Sequence, residues 1–280
     1  MTHASRLLRF VFIPVLSVGL LTQCAFFGFA GPMLVSESDE ARLGAEFDAH
    51  LRSDPAAKKE YPVFVANTPE RKAFQDYVLG LANEVYAAVP KSEKPGYPFK
   101  FTLIDADVQN AFAVPGGYVY IYTGIIKSMK DESELVGVIG HEIAHVTRHH
   151  YRDALAKEAG LSILLQVLVG EDAGQLKKVV AQTFGSLASL SVSRDNETDA
   201  DKYGTKYTAA TGRNPLGIAK YFERVKNPGP AWLSTHPAPK NRVETVKAQV
   251  RTTPTYAALA ANSAVTDYKA RFDQKTAVIR

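Results

Sequence analysis

The stretch that decides the fold is Gly140-His141-Glu142-Ile143-Ala144-His145, in which two histidines stand four residues apart and a glutamate follows the first. Residues four apart lie on one face of a helix, so the two imidazoles can close on a single ion. Acidic side chains stabilise the positive end of a helix and basic ones its negative end. The apolar run that carries the motif follows three acidic residues, Asp131, Glu132 and Glu134. It is followed by two basic residues, Arg148 and Arg152. The pattern therefore predicts one helix that bears a metal site.

Glu142 is the predicted general base. It is offset from His141 by about 100° around the helix, so its carboxylate misses the ion and stays available for proton transfer. From there it can take a proton from an attacking water and return it to a leaving amine. Zinc would supply the other half of the chemistry, because it lowers the pKa of water towards about 7 and polarises a carbonyl group. The alternative is a solvated helix with two surface histidines beside a glutamate.

A catalytic zinc needs a third protein ligand and keeps one position open. His149 and His150 are the nearest candidates, but three consecutive turns of a straight helix cannot bring their side chains to one ion. The metzincin arrangement is excluded, because Arg148 and Tyr151 stand where it requires glycine and histidine. His149 and His150 are therefore predicted to form a polar helix end.

A better source of ligands lies downstream, in the acidic segment 193–201, SRDNETDAD. Ser193 or Asp195 is predicted to cap a new helix, on which Glu197 and Asp201 share a face. One carboxylate would complete a His-His-Glu ligand set, and the acid one turn on would accept a hydrogen bond from the far nitrogen of a ligating histidine. Without the histidine motif the same segment would be an ordinary solvated acidic helix.

Four motifs together resemble one known family: GHEIAH at 140–145, SRDNETDAD at 193–201, NAFAVPGG at 110–117 and STHP at 234–237. The family is that of the gluzincin metallopeptidases, which includes HtpX, the CAAX prenyl endopeptidase, BepA and LoiP, and the likeness covers roughly residues 39–250. It implies an α+β, mainly α-helical, zincin-like metallopeptidase domain with a small β-sheet beside the HExxH helix. It also implies one zinc ion on His141, His145 and Glu197, with Glu142 as base and Asp201 as supporting acid.

Two further residues are marked by the same resemblance. The family's His-Pro motif approaches the zinc site from a separate loop and falls on His236, and an arginine that follows it falls on Arg242. A donor beside the zinc could stabilise a developing oxyanion, which would make both residues catalytic. Alternatively, neutral His236 could take the fourth zinc position and hold the enzyme latent. A purely structural role stays open for each.

The segment Ala111, Phe112, Ala113, Val114 is the candidate substrate strand. An extended segment beside the metal helix offers backbone groups to a peptide added as a further strand, and such binding requires little sequence. We therefore expect extended or unfolded polypeptides as substrates and a role in protein quality control. The alternatives are a plain internal strand and, for the whole chain, a non-proteolytic zinc-containing chaperone or binding protein of the envelope. An intact Glu142 argues against the latter, because a structural zinc site needs no base.

Elsewhere the pattern is mostly helical. The stretch Arg71–Val89 carries an apolar stripe and follows Thr68-Pro69, a predicted cap and first helical position. Alternating apolar residues at 99–103 and 118–122 predict two strands, with Pro115-Gly116-Gly117 as the turn before the second. The apolar run Leu161–Val169 is too short to span a bilayer and is predicted to be a buried helix.

Charge and length indicate the domain organisation of the chain and the class of protein. The 280 residues contain 33 Lys and Arg against 29 Asp and Glu, and no basic block suggests nucleic-acid binding. Residues 1–30 have two arginines followed by an apolar run, which fits a cleaved signal peptide, a lipoprotein anchor at Cys24 or an uncleaved membrane anchor. Each fate predicts export to the periplasm or cell envelope. Residues 31–251 are the predicted metallopeptidase domain of the short, single-domain exported type, and 252–280 a C-terminal tail without the repeats seen in BepA-like proteins.

Overall fold

The computed structural model describes residues 35–152, 154, 178, 180, 181, 185, 192–225, 236 and 241–280. The predicted targeting segment 1–30 and the predicted helix Leu161–Val169 lie outside the described residues. Within the described part, no helix is both long enough and apolar enough to cross a membrane.

Helices make up most of the described chain. Thr68 caps the third of them as predicted, since its side chain accepts a hydrogen bond from the Arg71 amide and Pro69 takes the first helical position. The helices before the sheet are α1 (Glu37–Ser53), α2 (Pro55–Glu60) and α3 (Pro69–Ala88), with a short 3₁₀ turn at Lys91–Glu93. Those after it are α4 (Thr123–Ser128), α5 (Glu132–Thr147), α6 (Arg194–Ala210), α7 (Gly217–Arg224), α8 (Arg242–Thr252), α9 (Pro254–Ala261), α10 (Ser263–Thr266) and α11 (Lys269–Thr276), followed by a 3₁₀ turn at Ala277–Ile279.

A three-stranded sheet lies beside the helices. Its strands are β1 (Lys100–Ile104), β2 (Ala111–Val114) and β3 (Tyr118–Tyr122), in the order β1-β3-β2. β1 runs parallel to β3, whereas β2 runs antiparallel to it and forms one edge of the sheet among the described residues. The tight turn between β2 and β3 requires glycine at Gly116, because φ is +85° there and an added Cβ would lie 2.5 Å from the carbonyl oxygen of Glu40.

Helix α5, which carries the HExxH motif, is the centre of the fold. Asp131 caps it by accepting a hydrogen bond from the Glu134 amide, and every residue of the helix is buried. It packs against α6, α7, α3 and β2. It approaches α6 closely at Gly204, where an added Cβ would lie 2.7 Å from the backbone nitrogen of His141. Gly204 therefore allows the two helices that carry the motif residues to touch.

The segment 252–280, set apart in the sequence as a tail, packs onto the same domain. Phe272 of α11 is fully buried. Arg271 donates to Glu132, the first residue of α5, through Nε at 2.7 Å, and Arg213 donates to the same carboxylate at 2.9 Å. The hydroxyl of Tyr77 adds a third hydrogen bond of 2.7 Å. The start of the metal helix is therefore held by residues from three separate parts of the chain.

Candidate metal centre

Four buried side chains meet at one point beside α5. His141 and His145 come from the motif helix, Glu197 comes from α6, and His236 approaches from outside both. One ligand atom from each residue lies within 4.8 Å of all the others, and none of the four is more than 1% exposed. The two predicted motifs thus share one site, and Ser193 caps α6 as predicted by accepting from the Asn196 amide.

The facing atoms are those that bind metals. Nε2 of His141 and Nε2 of His145 lie 3.0 Å apart, and Oε1 of Glu197 is 3.3 Å from the latter. Nδ1 of His236 is 3.1 Å from the same oxygen and 3.4 Å from Nε2 of His141. Oε2 of Glu197 is buried without a hydrogen-bond partner among the described residues. Imidazole nitrogens and a carboxylate oxygen in this number and spacing fit zinc, whose sites use these donors.

Charge balance at the cluster also fits a cation. Burial alone would lower the pKa of His141, but the carboxylates of Glu197 and Asp201 outweigh it and raise that pKa to about 9. Burial and the neighbouring His141 hold the pKa of His145 well below its usual value. The carboxylates therefore favour positive charge at His141, and a bound cation would supply such a charge in its place.

Glu142 lies beside the cluster but outside it. Both of its carboxylate oxygens are buried, and neither accepts a hydrogen bond from a described residue. Oε1 is 3.3 Å from Nε2 of His236, a nitrogen that also faces the carbonyl oxygen of Ala111 at 3.3 Å. Burial raises the pKa of Glu142 above its ordinary value. A carboxyl group so placed can take up and release a proton, which is the task of a general base.

Asp201 and Arg242 lie on the side of His141 that faces away from the cluster. Oδ1 of Asp201 lies 2.9 Å from Nδ1 of His141, the nitrogen that faces away from the cluster. Arg242 donates to both oxygens of Asp201, through Nε at 2.9 Å and Nη2 at 2.6 Å. Burial alone would raise the pKa of Asp201, but Arg242 and His141 keep it lowered. This geometry favours an anchoring role for Arg242 over the predicted catalytic one, because its guanidinium is engaged with Asp201.

The structure separates the two histidines that were predicted to form a polar helix end. His149 turns away with a left-handed φ of 54° and places Nδ1 3.0 Å from Oε2 of Glu40 on α1. His150 instead turns inward, where Nδ1 lies 3.0 Å from Nδ1 of the cluster residue His145. Burial lowers the pKa of His150 to about 4. Sequence reasoning missed this contact, because helical spacing does not describe a chain that leaves the helix at His149.

The predicted substrate strand lies against the cluster. The carbonyl oxygen of Ala111 faces Nε2 of His236, and the backbone amide of Ala113 faces the hydroxyl of Tyr151. All four residues of β2 are buried. Tyr151 is buried as well, with its ring centroid 5.7 Å from that of His145. Tyr151, like His150, lies near the centre in a position that the sequence did not predict.

Residues 76–250 match the sequence model described as peptidase family M48. The matched span contains α5, α6 and also His236, and so it includes all four residues of the cluster. Proteins of this family are metallopeptidases that use zinc.

Individual relatives agree with the family match. A putative beta-barrel assembly-enhancing protease of Vibrio cholerae is 29% identical over 223 residues, which cover 74% of this chain and 44% of the relative. The beta-barrel assembly-enhancing protease of Escherichia coli K12 is 30% identical over 166 residues, 52% of this chain and 33% of the relative. The mitochondrial metalloendopeptidase OMA1 of Arabidopsis thaliana is 30% identical over 155 residues, 54% of this chain and 31% of the relative. The chain spans less than half the length of each of these relatives.

Proposed function

The chain belongs to peptidase family M48, and from that premise we propose that it is a zinc-dependent endopeptidase of the cell envelope that cleaves unfolded or misfolded proteins. One observation carries the proposal: His141, His145 and Glu197 converge on one point, and the buried carboxylate of Glu142 stands beside that point without a hydrogen-bond partner among the described residues. A site that only held a structural ion would have no use for such a group.

In the proposed site, three residues would hold the zinc: His141, His145 and Glu197. When bound, zinc supplies a Lewis acid that polarises the scissile carbonyl and makes water more acidic. Asp201 keeps the proton of His141 on Nδ1, so that Nε2 presents its lone pair to the ion. Arg242 holds Asp201 in place through its two hydrogen bonds.

Glu142 moves the proton in this mechanism. Its carboxylate takes a proton from the attacking water and delivers it to the nitrogen of the departing amine. The raised pKa supports the second half of this task, because a carboxyl group in a buried site retains a proton more readily than one in water. The same residue therefore serves first as base and then as acid.

His236 is proposed to hold the site latent. Its Nδ1 lies among the ligand atoms, so His236 would compete for the position that a catalytic zinc keeps open for substrate. If Nε2 donates its proton to the carbonyl of Ala111, Nδ1 carries no proton and its lone pair faces the cluster. His236 must then leave before a peptide carbonyl can approach. This favours the latency interpretation of His236 over that of a permanent oxyanion donor.

Substrate is proposed to pair with β2. The amide of Tyr122 donates to the carbonyl of Asn110 at 3.2 Å, and bonded and unbonded pairs alternate along an antiparallel ladder. The polar groups of Ala111 and Ala113 therefore point away from β3. In the structure these groups face His236 and the Tyr151 hydroxyl. An extended peptide would replace both side chains and be recognised through its backbone, which suits unfolded substrates.

The envelope location has two supports. Residues 1–30 have the pattern of an export signal or anchor. The Vibrio cholerae and Escherichia coli relatives are named for beta-barrel assembly. Fractionation of cells that produce the full chain, with mass spectrometry of its amino terminus, tests this part: recovery in the cytoplasm with residues 1–30 intact would contradict it.

The activity is tested with casein as an unfolded substrate. The full chain is expected to cleave casein, and Glu142→Gln is expected to abolish cleavage while one zinc per chain is retained by elemental analysis. The substitution keeps the shape of the side chain but removes the basic oxygen. Cleavage by the Glu142→Gln protein at the parent's rate would overturn the proposal.

A further inference from the structure

A row of three side chains in contact, His145, His150 and Asp199, leads away from the metal centre. Nδ1 of His150 lies 3.0 Å from Nδ1 of His145, and Nε2 of His150 lies 3.2 Å from Oδ2 of Asp199. Arg148 donates to the same oxygen of Asp199 at 2.8 Å. His150 is only 6% exposed, so water does not compete strongly for its nitrogens.

The protons in this row can be placed by elimination. Nε2 of His145 is the atom that faces the other ligands, so it must be unprotonated to bind an ion. The proton of the neutral ring then lies on Nδ1, which donates to Nδ1 of His150. His150 must in turn carry its proton on Nε2, which donates to Asp199. Each hydrogen bond in the row therefore has one donor and one acceptor.

The same arrangement exists on the other ligand in shorter form. Nδ1 of His141 faces Asp201 directly, whereas Nδ1 of His145 reaches Asp199 through the ring of His150. Asp199 and Asp201 both lie on α6, the helix that also supplies Glu197. Helix α6 thus provides one metal ligand, Glu197, and in addition one supporting carboxylate for each of the two ligating histidines.

We propose that His150 and Asp199 are positioning residues of the metal centre, which hold the ring of His145 and keep its proton on Nδ1. The inference deepens the proposed function and rests on it, because it concerns how His145 is prepared for the zinc. Partners of this kind set ligand orientation, and their loss typically lowers metal affinity about 10–100-fold.

The test measures zinc affinity of the full chain by competition with a chromophoric chelator. His150→Leu removes both nitrogens and is expected to weaken zinc binding about 10–100-fold. His150→Asn keeps an oxygen near the place of Nδ1 and is expected to recover most of the affinity. Asp199→Ala, at a half-exposed position, leaves His150 in place and is expected to cause a smaller loss than His150→Leu.

The neighbouring histidine provides the matched control. His149→Asn changes a contact to Glu40 at a left-handed position that asparagine tolerates, and it leaves the cluster untouched. The zinc affinity of His149→Asn is expected to stay within about twofold of the parent's, because a substitution away from the buried cluster has only a small effect. The absorption spectrum of the cobalt-substituted protein is expected to change in His150→Leu and to stay the same in His149→Asn.

The outcomes separate this inference from the proposed function. A His150→Leu protein with the parent's zinc affinity and cobalt spectrum overturns the positioning role, and so does an equal loss in His149→Asn. Denaturant unfolding of the metal-free proteins shows whether each variant folds. If His150→Leu does not fold, the zinc affinities of Asp199→Ala and His150→Asn test the positioning role instead. In that case, a parental zinc affinity in Asp199→Ala counts against the positioning role. Absence of zinc in the parent itself would instead remove the proposed function.

Discussion

Nδ1 of His236 lies 3.1 Å from Oε1 of Glu197, so a residue from outside both metal helices stands inside the ligand cluster. Its other nitrogen faces the carbonyl of Ala111 at the edge of the sheet. One side chain thus contacts both the proposed zinc position and the proposed substrate strand. Any peptide that reaches the centre along β2 must displace it from both.

Replacing His236 by alanine is therefore expected to raise activity. The open position would no longer be blocked, and the fraction of competent molecules would increase, by about 3- to 10-fold if most molecules are closed at rest. The measurement is the initial rate of casein cleavage at saturating zinc, with zinc content determined in parallel. A fall in kcat with zinc retained would contradict the latency proposal and assign His236 to transition-state stabilisation instead.

The metal helix and its partner were predictable because their signals are local. The acidic start of α5 at 131–134, the Ser193 cap, the spacing of His141 and His145, and the four-residue separation of Glu197 and Asp201 depend only on helix geometry. Each prediction therefore needed nothing beyond a few neighbouring residues.

What escaped prediction depends on where the chain goes after a helix ends. The left-handed backbone at His149 turns His150 towards His145, and residue types alone do not announce that turn. The orientation of Arg242 towards Asp201 likewise depends on how α8 packs beside α6. Such contacts join distant segments, so they arise from tertiary packing.

The buried carboxylate of Glu40 predicts a pH-dependent stability. Burial alone would raise its pKa, but hydrogen bonds from His149 and Arg152 outweigh it and keep the pKa below 4.5. A carboxyl with a lowered folded-state pKa stabilises the fold above its unfolded pKa and loses that contribution as pH falls through the folded value. Glu40→Gln should thus reduce the free energy of unfolding by about 1–3 kcal/mol at pH 7.

Denaturant unfolding at two pH values checks the sign of this effect. The difference between parent and Glu40→Gln is expected to shrink as pH falls below about 4.3, the ordinary pKa of a glutamate, and to be lost once pH passes below the lowered pKa of Glu40 in the folded protein. Glu46→Gln, on the same helix, is the control for a general effect of removing one negative charge. A difference that persists unchanged in acid would show that the ion pairs of Glu40 do not cause it.

Tyr151 is expected to compete with substrate for β2. Its hydroxyl faces the Ala113 amide, and Tyr151→Phe would remove this polar contact while keeping the ring. One hydrogen bond contributes about 0.5–1.5 kcal/mol, so KM for an extended peptide should fall about 2- to 10-fold with kcat little changed. Steady-state kinetics with a fluorogenic peptide measure both constants, and Tyr256→Phe on α9 is the control. A large fall in kcat at constant KM would mean that the hydroxyl acts on the reacting carbonyl.

Replacing glycine by alanine is expected to change the stability of the protein in opposite directions at two helical positions. At Gly204 an added Cβ would lie 2.7 Å from the backbone nitrogen of His141, so Gly204→Ala must push α6 away from α5. Overpacking of this kind costs about 1–3 kcal/mol, and the shift would also carry Glu197 away from the two histidines. At Gly80, inside α3, no atom of another described element lies within 4 Å of the added atom, and alanine should stabilise the protein by up to about 1 kcal/mol.

Thermal unfolding and zinc competition on both variants test this pair. Gly204→Ala should lower the unfolding temperature and weaken zinc binding together, whereas Gly80→Ala should raise the first and leave the second unchanged. Because both substitutions add one methyl group to a helix, helix propensity alone predicts the same gain at each site. Equal stabilisation by the two would therefore disprove the close contact between α5 and α6 on which the geometry of the metal centre depends.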